Sequence, residues 1–323
     1  MDKKNILVIG GAGFIGSNLI RKLLLEKNLN VICLDNLSTG RFENINEFLR
    51  YHNFKFIKFD ITKPIVDLEK INEISDFKID ILGIHKIYFS AFNFEKISMF
   101  KIFTTGLLNS LEIAKKYSAS FLLFSSGEYY GEESKMFKET ETSKIDPFLN
   151  FGWRYELRRF SEIFSWEYSQ KNNIKIKIFR LFNVYGEGEN IYNARFLPLI
   201  FKQVLSNSKI KISDLDAKLN LIYIKDTISA ILKISDNLDS DIINIGSFEN
   251  YLIKEIIESA IKFTNSNSEI ILGESEFEYI KPFPDITKLK TEYNYIPQTS
   301  IEQGLKNTFD YLLIQYKKAK SII

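Results

Sequence analysis

The chain of 323 residues holds one cysteine and two histidines. A single thiol, Cys33, excludes an intrachain disulfide framework and a thiolate metal cluster. Lying inside an apolar run, it reads as a small core residue. His52 and His85 are far apart in sequence and make no ligand spacing, so no metal site is expected. Charge of one sign is also lacking: 43 lysines and arginines stand against 41 aspartates and glutamates. That balance gives no overall field for nucleic acid or an anionic membrane surface, and neither is expected as a partner. No stretch reaches the about eighteen uninterrupted apolar residues of a membrane helix. Lys3 and Lys4 before an apolar stretch imitate a secretory leader, but three glycines interrupt the stretch, and Arg21 and Lys22 stand where a cleavage site belongs. A cytoplasmic protein is expected. There is no internal repeat, no disordered linker, and no arginine after Arg195.

What is present is concentrated at residues 6–16, ILVIGGAGFIG, followed by Leu34-Asp35-Asn36. A short apolar run rich in β-branched residues reads as a buried parallel strand. Gly11, Gly13 and Gly16 fit G-x-G-x-x-G, and Gly10, Gly13 and Gly16 fit the spacing of short-chain dehydrogenases. The glycines serve a tight turn, close approach of backbone to a pyrophosphate, and packing of helix on sheet. A helix starting near Phe14 offers N–H groups and a positive dipole end to that pyrophosphate. A second strand over residues 30–35 ends in Asp35, about twenty residues on, where a carboxylate accepts hydrogen bonds from ribose hydroxyls. Asp35 favours NAD over NADP, because a 2′-phosphate would be repelled. Arg41, a few residues on, softens that preference without reversing it.

Strand-like runs at residues 5–10, 31–35, 54–60, 86–91, 121–126 and 174–182 alternate with amphipathic segments at 14–26, 97–116 and 155–170. This alternation predicts an α/β fold, a Rossmann-type doubly wound parallel sheet with right-handed crossovers. After residue 183 the pattern becomes irregular, with helices expected at 193–205, 226–235, 253–263 and 301–316 and short strands at 210–213 and 219–224. The expected division is a NAD-binding domain over 1–183, to which later segments return, and a smaller C-terminal substrate-binding lobe over 184–323.

Further segments sharpen the reading. They are LDNLSTGRFENI at 34–45, Asp60-Ile61, GLLNSLEIA at 106–114, FSSGEYYG at 124–131, RLFNVYG at 180–186, and DITK at 285–288 with Tyr295 and Pro297. Together they resemble the extended short-chain dehydrogenase/reductases, specifically the NAD-dependent nucleotide-sugar epimerase/dehydratase group, over nearly the whole chain. The resemblance implies hydride transfer at C4 of a nucleotide-linked sugar. It places Gly10, Gly13, Phe14, Ile15 and Gly16 at the cofactor pyrophosphate, and Asp35, Asn36, Ser38, Thr39 and Gly40 around the adenosine ribose. Asp60 and Ile61 fall at adenine, and Ala91 in the turn after the fourth strand. Ser126 stands at the catalytic Ser/Thr position, although a strand-end serine can equally satisfy backbone groups. Glu128 stands where dehydratases and decarboxylases of the group keep a glutamate, as acid/base or as a group that orients the sugar.

The chain departs from the pattern where the family carries YxxxK, whose tyrosine is the base and whose lysine lowers its pKa. Glu162 and Tyr168 mark a register that puts Arg154 at the tyrosine and Arg158 at the lysine. A shift of one residue gives Tyr155 with Arg159, at the cost of about 100° of helix rotation. A third register pairs Phe151 with Tyr155. Tyr155 and Arg158 are the candidate catalytic residues here, beside Ser126 and Glu128, and a basic helix face toward solvent or a neighbouring subunit is the alternative. The turn after the fourth strand carries Phe92, and Phe103 replaces a family asparagine. Around residues 219–226 the diphosphate-gripping arginine is lost, with Lys218 adjacent. Asn183 and Arg195 are the substrate-binding candidates. The expected activity is an NAD-dependent oxidoreductase or epimerase acting at C4 of a nucleotide sugar for surface polysaccharide, a GDP-linked heptose being one candidate. A catalytically silent NAD-binding subunit is the alternative. Family members dimerise through two helices, so a homo-oligomer is expected, with Phe100, Phe103, Phe160, Phe164 and Trp166 as apolar candidates for the contact.

Overall fold

The computed structural model describes residues 4–64, 84–90, 95–148, 152–192, 195–214, 216–237, 239–274 and 280–320. Ala91, Phe92, Phe151 and Asn193 lie outside the described residues. The central sheet has seven strands. They are β1 (Lys4–Ile9), β2 (Leu29–Asp35), β3 (Phe54–Lys58), β4 (Ile84–Phe89), β5 (Ser120–Ser126), β6 (Ile176–Leu181) and β7 (Asp241–Ile245). Their spatial order is β7-β6-β5-β4-β1-β2-β3. The pairs β1–β2, β1–β4, β2–β3 and β4–β5 are parallel, and Val8 sits opposite Cys33 on one side and Tyr88 on the other. Neighbouring parallel strands need crossover connections, and helices filling those crossovers cover both faces. This is why residues 5–9, 31–35 and all six residues of β6 are buried.

Leu7, Ile87, Phe89, Phe121, Leu123 and Ile178 share one buried cluster with Phe103, Leu107 and Leu111 of the flanking helical segment. Each such side chain, once buried, contributes about 1.5–3 kcal/mol against its conformational cost. Phe103, expected at a subunit contact, is fully buried and packs edge-on against Phe89 at 6.1 Å. Phe100 and Phe160 are exposed, whereas Phe164 and Trp166 are partly buried against the cluster.

Several elements differ from the sequence expectation. The single helix expected at 97–116 is three pieces: Lys96–Lys101, a π turn at Ile102–Gly106, and α2 (Leu107–Tyr117), α1 being Phe14–Leu23. A Cβ on Gly106 would lie 3.0 Å from Ile61 Cγ2, so glycine lets the widened turn come close to the loop after β3. The Glu95 carboxylate caps the first piece by accepting from Ile97 N and Ser98 N. The helix expected at 155–170 runs as α3, Gly152–Asn172. The strand expected at 219–224 is two short ones, Lys218–Asn220 and Ile222–Tyr223, in separate sheets. The Asn220 amide explains the break: it donates to Ser247 O and Glu249 O and accepts from Ser247 N.

Two compact units emerge, one of Met1–Tyr129, Ile145–Arg180 and Ile231–Ile243, the other of Tyr130–Lys144, Leu181–Ala230 and Asn244–Ile323. The second is built on α4 (Phe196–Leu205), α5 (Ile253–Thr264) and α6 (Ile301–Lys320). Phe201 stacks on Phe309 at 4.8 Å, and Phe263 lies 5.5 Å from Phe309.

Candidate active site

The turn after β1 is shaped by backbone. Gly10 has φ +73, and a Cβ there would meet Ser90 O at 1.7 Å, so only glycine fits. A Cβ on Gly16 would meet Gly10 O at 2.3 Å, which lets α1 pack directly on the turn. The N–H groups of Phe14, Ile15 and Gly16 precede the first intrahelical bond, Ser17 N to Gly13 O. They form the positive end of α1.

Asp35, at the end of β2, is buried. Its Oδ2 accepts from Ala12 N at 2.9 Å and its Oδ1 from Leu37 N at 2.7 Å. Burial pushes its carboxyl above the ordinary value, and the two N–H groups pull it back. The same Ala12 peptide is held from its other side, because its carbonyl accepts from Arg41 N and from the Asn44 amide at 2.9 Å. A Cβ on Gly40 would sit 2.8 Å from both Asp35 oxygens. Asn36 accepts from Ser38 N, and Asp60 from Thr62 N and Thr62 Oγ1, each closing its own turn. Asn109 ties Ile61 O to α2. Asn44 and Asn109 lie within segments singled out from the sequence, but no local pattern reveals which carbonyl each amide reaches. Cys33 is wholly buried, with its thiol pushed up by that burial, in keeping with a core residue.

Past β5, Glu128 N donates to Ser126 Oγ at 3.2 Å. The Glu128 carboxylate is gripped by Arg154 Nη2 at 2.5 Å and by Arg158 Nε at 3.3 Å. Arg154 and Arg158 are one turn apart on α3 and share a face. The Arg158 guanidinium lies 4.8 Å from the centre of the Phe103 ring, at the position of the family's asparagine. Arg159 points elsewhere, donating to Tyr129 O at 3.0 Å. Tyr155, half-buried, is about 100° around the helix from Arg154.

Beneath this turn lies a network that sequence reasoning did not assign. Arg180, in β6, binds Glu162 through Nε and Nη2, the latter at 2.8 Å. Its guanidinium is 3.4 Å from the centre of the Tyr129 ring. Ser125 Oγ donates to Glu162 Oε1. The signal was an arginine inside a buried, largely apolar strand, because a buried charge demands a partner.

In the second unit, the Asn183 amide donates to Ile280 O at 2.9 Å and accepts from Ile280 N at 2.8 Å. Arg195, at the start of α4, is 44% exposed and lies 3.6 Å from Glu189 Oε1. Lys218 is exposed. Glu189 is buried, its Oε2 has no hydrogen-bond partner, and burial pushes its carboxyl up to about 7 against the lowering pull of Arg195. Among the described residues there is no group of three or more potential metal ligands. None of the described helices is long and apolar enough to cross a membrane.

A glycine turn, a helix N-terminus and a buried strand-end acid together define a dinucleotide-binding fold. The model of the NAD dependent epimerase/dehydratase family matches residues 6–246, and the chain belongs to that family. It is 26% identical over 317 residues to UDP-glucuronic acid decarboxylase 1 of Danio rerio, covering 96% of this chain and 73% of the relative. It is 27% identical over 304 residues to UDP-glucuronic acid decarboxylase 5 of Arabidopsis thaliana, covering 93% and 86%. Among solved structures it resembles UDP-glucose 4-epimerase of Thermotoga maritima with UDP-glucose (TM-score 0.81, 27% identity, 97% and 99% covered). It also resembles UDP-glucuronic acid 4-epimerase of Bacillus cereus in complex with UDP-glucuronic acid and NAD (TM-score 0.82, 26% identity, 97% and 100% covered). The chain is of the NAD-dependent nucleotide-sugar epimerase, decarboxylase and dehydratase class, and its cofactor is NAD. The cradle fits that cofactor: a side chain at Gly10 or Gly16 would fill it, and a buried carboxylate ends β2.

Proposed function

We propose that this chain oxidises C4 of a nucleotide-linked sugar, and that Glu128 takes the hydroxyl proton in place of the tyrosine the family pattern expects. The observation that carries the reading is the face of α3 turned to Glu128. Arginines occupy both positions of the missing pair there, and neither can accept a proton at neutral pH. NAD, when bound, supplies the hydride acceptor. Gly10, Gly13 and the N–H groups of Phe14, Ile15 and Gly16 hold its pyrophosphate, and Asp35 accepts from its ribose with the lone pairs that Ala12 and Leu37 leave open. Asn36, Ser38, Thr39 and Gly40 complete the ribose side, and Asp60 and Ile61 the adenine side. Ser126 hydrogen-bonds the C4 oxygen, and the Glu128 carboxylate takes its proton as the C4 hydride leaves, so that a 4-keto sugar results. Relatives named for UDP-sugars support uridine diphosphate as the carrier to test first; a GDP-linked heptose is the second candidate.

Glu128→Gln should lower NADH formation at 340 nm by at least about a hundredfold, the usual worth of a general base, while Tyr155→Phe stays within a few fold of the parent. Full activity in Glu128→Gln with a dead Tyr155→Phe would return the role to the tyrosine. Tight NAD with no turnover of UDP-, GDP- or dTDP-sugars would make the chain a silent NAD-binding subunit.

A further inference from the structure

We infer that Arg154 and Arg158 form a receptor for a carboxylate on the sugar, so that the substrate is a nucleotide-linked uronic acid and Glu128 fills the receptor in its absence. The inference rests on the reading of Ser126 as the group that binds the C4 oxygen.

The receptor is already seen holding a carboxylate, with Arg154 on one oxygen of Glu128 and Arg158 on the other. Both guanidiniums are largely sheltered, at 17% and 9% side-chain exposure, as is the carboxylate at 12%. The Phe103 ring lies against Arg158. Charge-assisted hydrogen bonds in such surroundings are stronger than in water and select planar oxyanions. An uncharged hydroxymethyl group at C5 would gain little there.

The spacing suits a uronic acid. Its carboxylate is carried on C5, the ring carbon next to C4, so the groups that bind the C4 oxygen and the carboxylate must be neighbours. Here they are joined: Glu128 N donates to Ser126 Oγ, and the Glu128 side chain lies in the arginine forks. Entry of the sugar carboxylate displaces the Glu128 carboxylate, one anion for another in the arginine forks. The released Glu128 is then beside the C4 hydroxyl whose proton it accepts. A substrate without the carboxylate leaves Glu128 clamped, which couples recognition to the proton transfer.

The test is calorimetric titration of the NAD-loaded protein with two matched pairs, UDP-glucuronic acid against UDP-glucose and GDP-mannuronic acid against GDP-mannose. In one pair the uronate should bind at least about tenfold more tightly than its neutral partner. Arg154→Gln should erase that preference and leave the neutral sugar unchanged, and Arg154→Lys, which keeps the charge but not the fork, should restore part of it. Glu128→Gln should bind the uronate more tightly than the parent does, because the internal competitor is weakened, whereas a merely structural Glu128 would give looser binding. Equal, weaker or absent binding of both uronates overturns the receptor, as does looser uronate binding by Glu128→Gln. Uronate preference without NADH formation would keep the receptor and reject hydride transfer. NADH formed from a neutral sugar without such preference would do the reverse.

Discussion

Two carboxylates at the ends of strands in the same sheet are held in opposite ways. Asp35 rests on main-chain N–H groups of Ala12 and Leu37, in a turn that glycines allow to close. Glu128 rests on the side chains of Arg154 and Arg158, brought in from a helix 26 and 30 residues further along the chain. A carboxylate held by backbone keeps its partners whatever the neighbouring side chains become, so the cofactor turn stays close to its family's pattern. A carboxylate held by side chains can change partners with single substitutions. Glu189, in the other unit, is a third case, with one oxygen left without any hydrogen-bond partner.

The largest effect is expected at the backbone-held end. Gly10→Ala drives a Cβ into Ser90 O and strains a positive φ, so chemical unfolding should show a loss of about 5 kcal/mol, or no folded protein at all. Less than about 1 kcal/mol would mean that the turn relaxes freely and backbone does not dictate the Asp35 site.

At the other end, Glu162→Gln leaves buried Arg180 without its counter-charge beneath Tyr129. Breaking a buried pair in this way costs about 3–4 kcal/mol, to be read from the same unfolding curves, with the Arg154–Glu128 contact loosened as the turn shifts. A neutral result would show that Arg154 and Arg158 hold the Glu128 turn without help from the Glu162–Arg180 pair.

The smallest effect sharpens the third case. Burial raises the Glu189 carboxyl to about 7, so the folded state binds its proton more tightly than the unfolded chain does. Stability therefore falls as pH rises from about 4.5 through 7, and nearly the whole penalty, about 3 kcal/mol, is present at pH 8. Glu189→Gln should be more stable than the parent at pH 8 and nearly equal to it at pH 5, as thermal unfolding at the two pH values would show. An equal difference at both would mean that Glu189 does not titrate in this range.

Much of the cofactor half was legible because its requirements are local. The spacing of Gly10, Gly13 and Gly16, the apolar run before them and the acid ending the next strand follow from backbone geometry that residue type alone specifies. The resemblance to the epimerase/dehydratase family, borne out by the match over residues 6–246, extended that reading along the chain. The substrate half was less legible. Three registers for the missing tyrosine and lysine were open in the sequence, because a one-residue shift on a helix changes which face a side chain serves. The fold turns Arg154 and Arg158 to Glu128 and sends Arg159 to the Tyr129 carbonyl. Phe103 was equally ambiguous: only the packing of Phe89 and Arg158 around it made it core rather than contact surface.

By itself, then, the order of residues determined the strand–turn–helix from β1 to α1, since short-range steric and hydrogen-bonding needs leave glycine and apolar residues few alternatives there. Which charges meet at the turn after β5 was decided by tertiary structure alone. Glu128 follows β5, Arg154, Arg158 and Glu162 lie on α3, and Arg180 is in β6, and a buried charge selects its partner by distance in space, which no local pattern encodes.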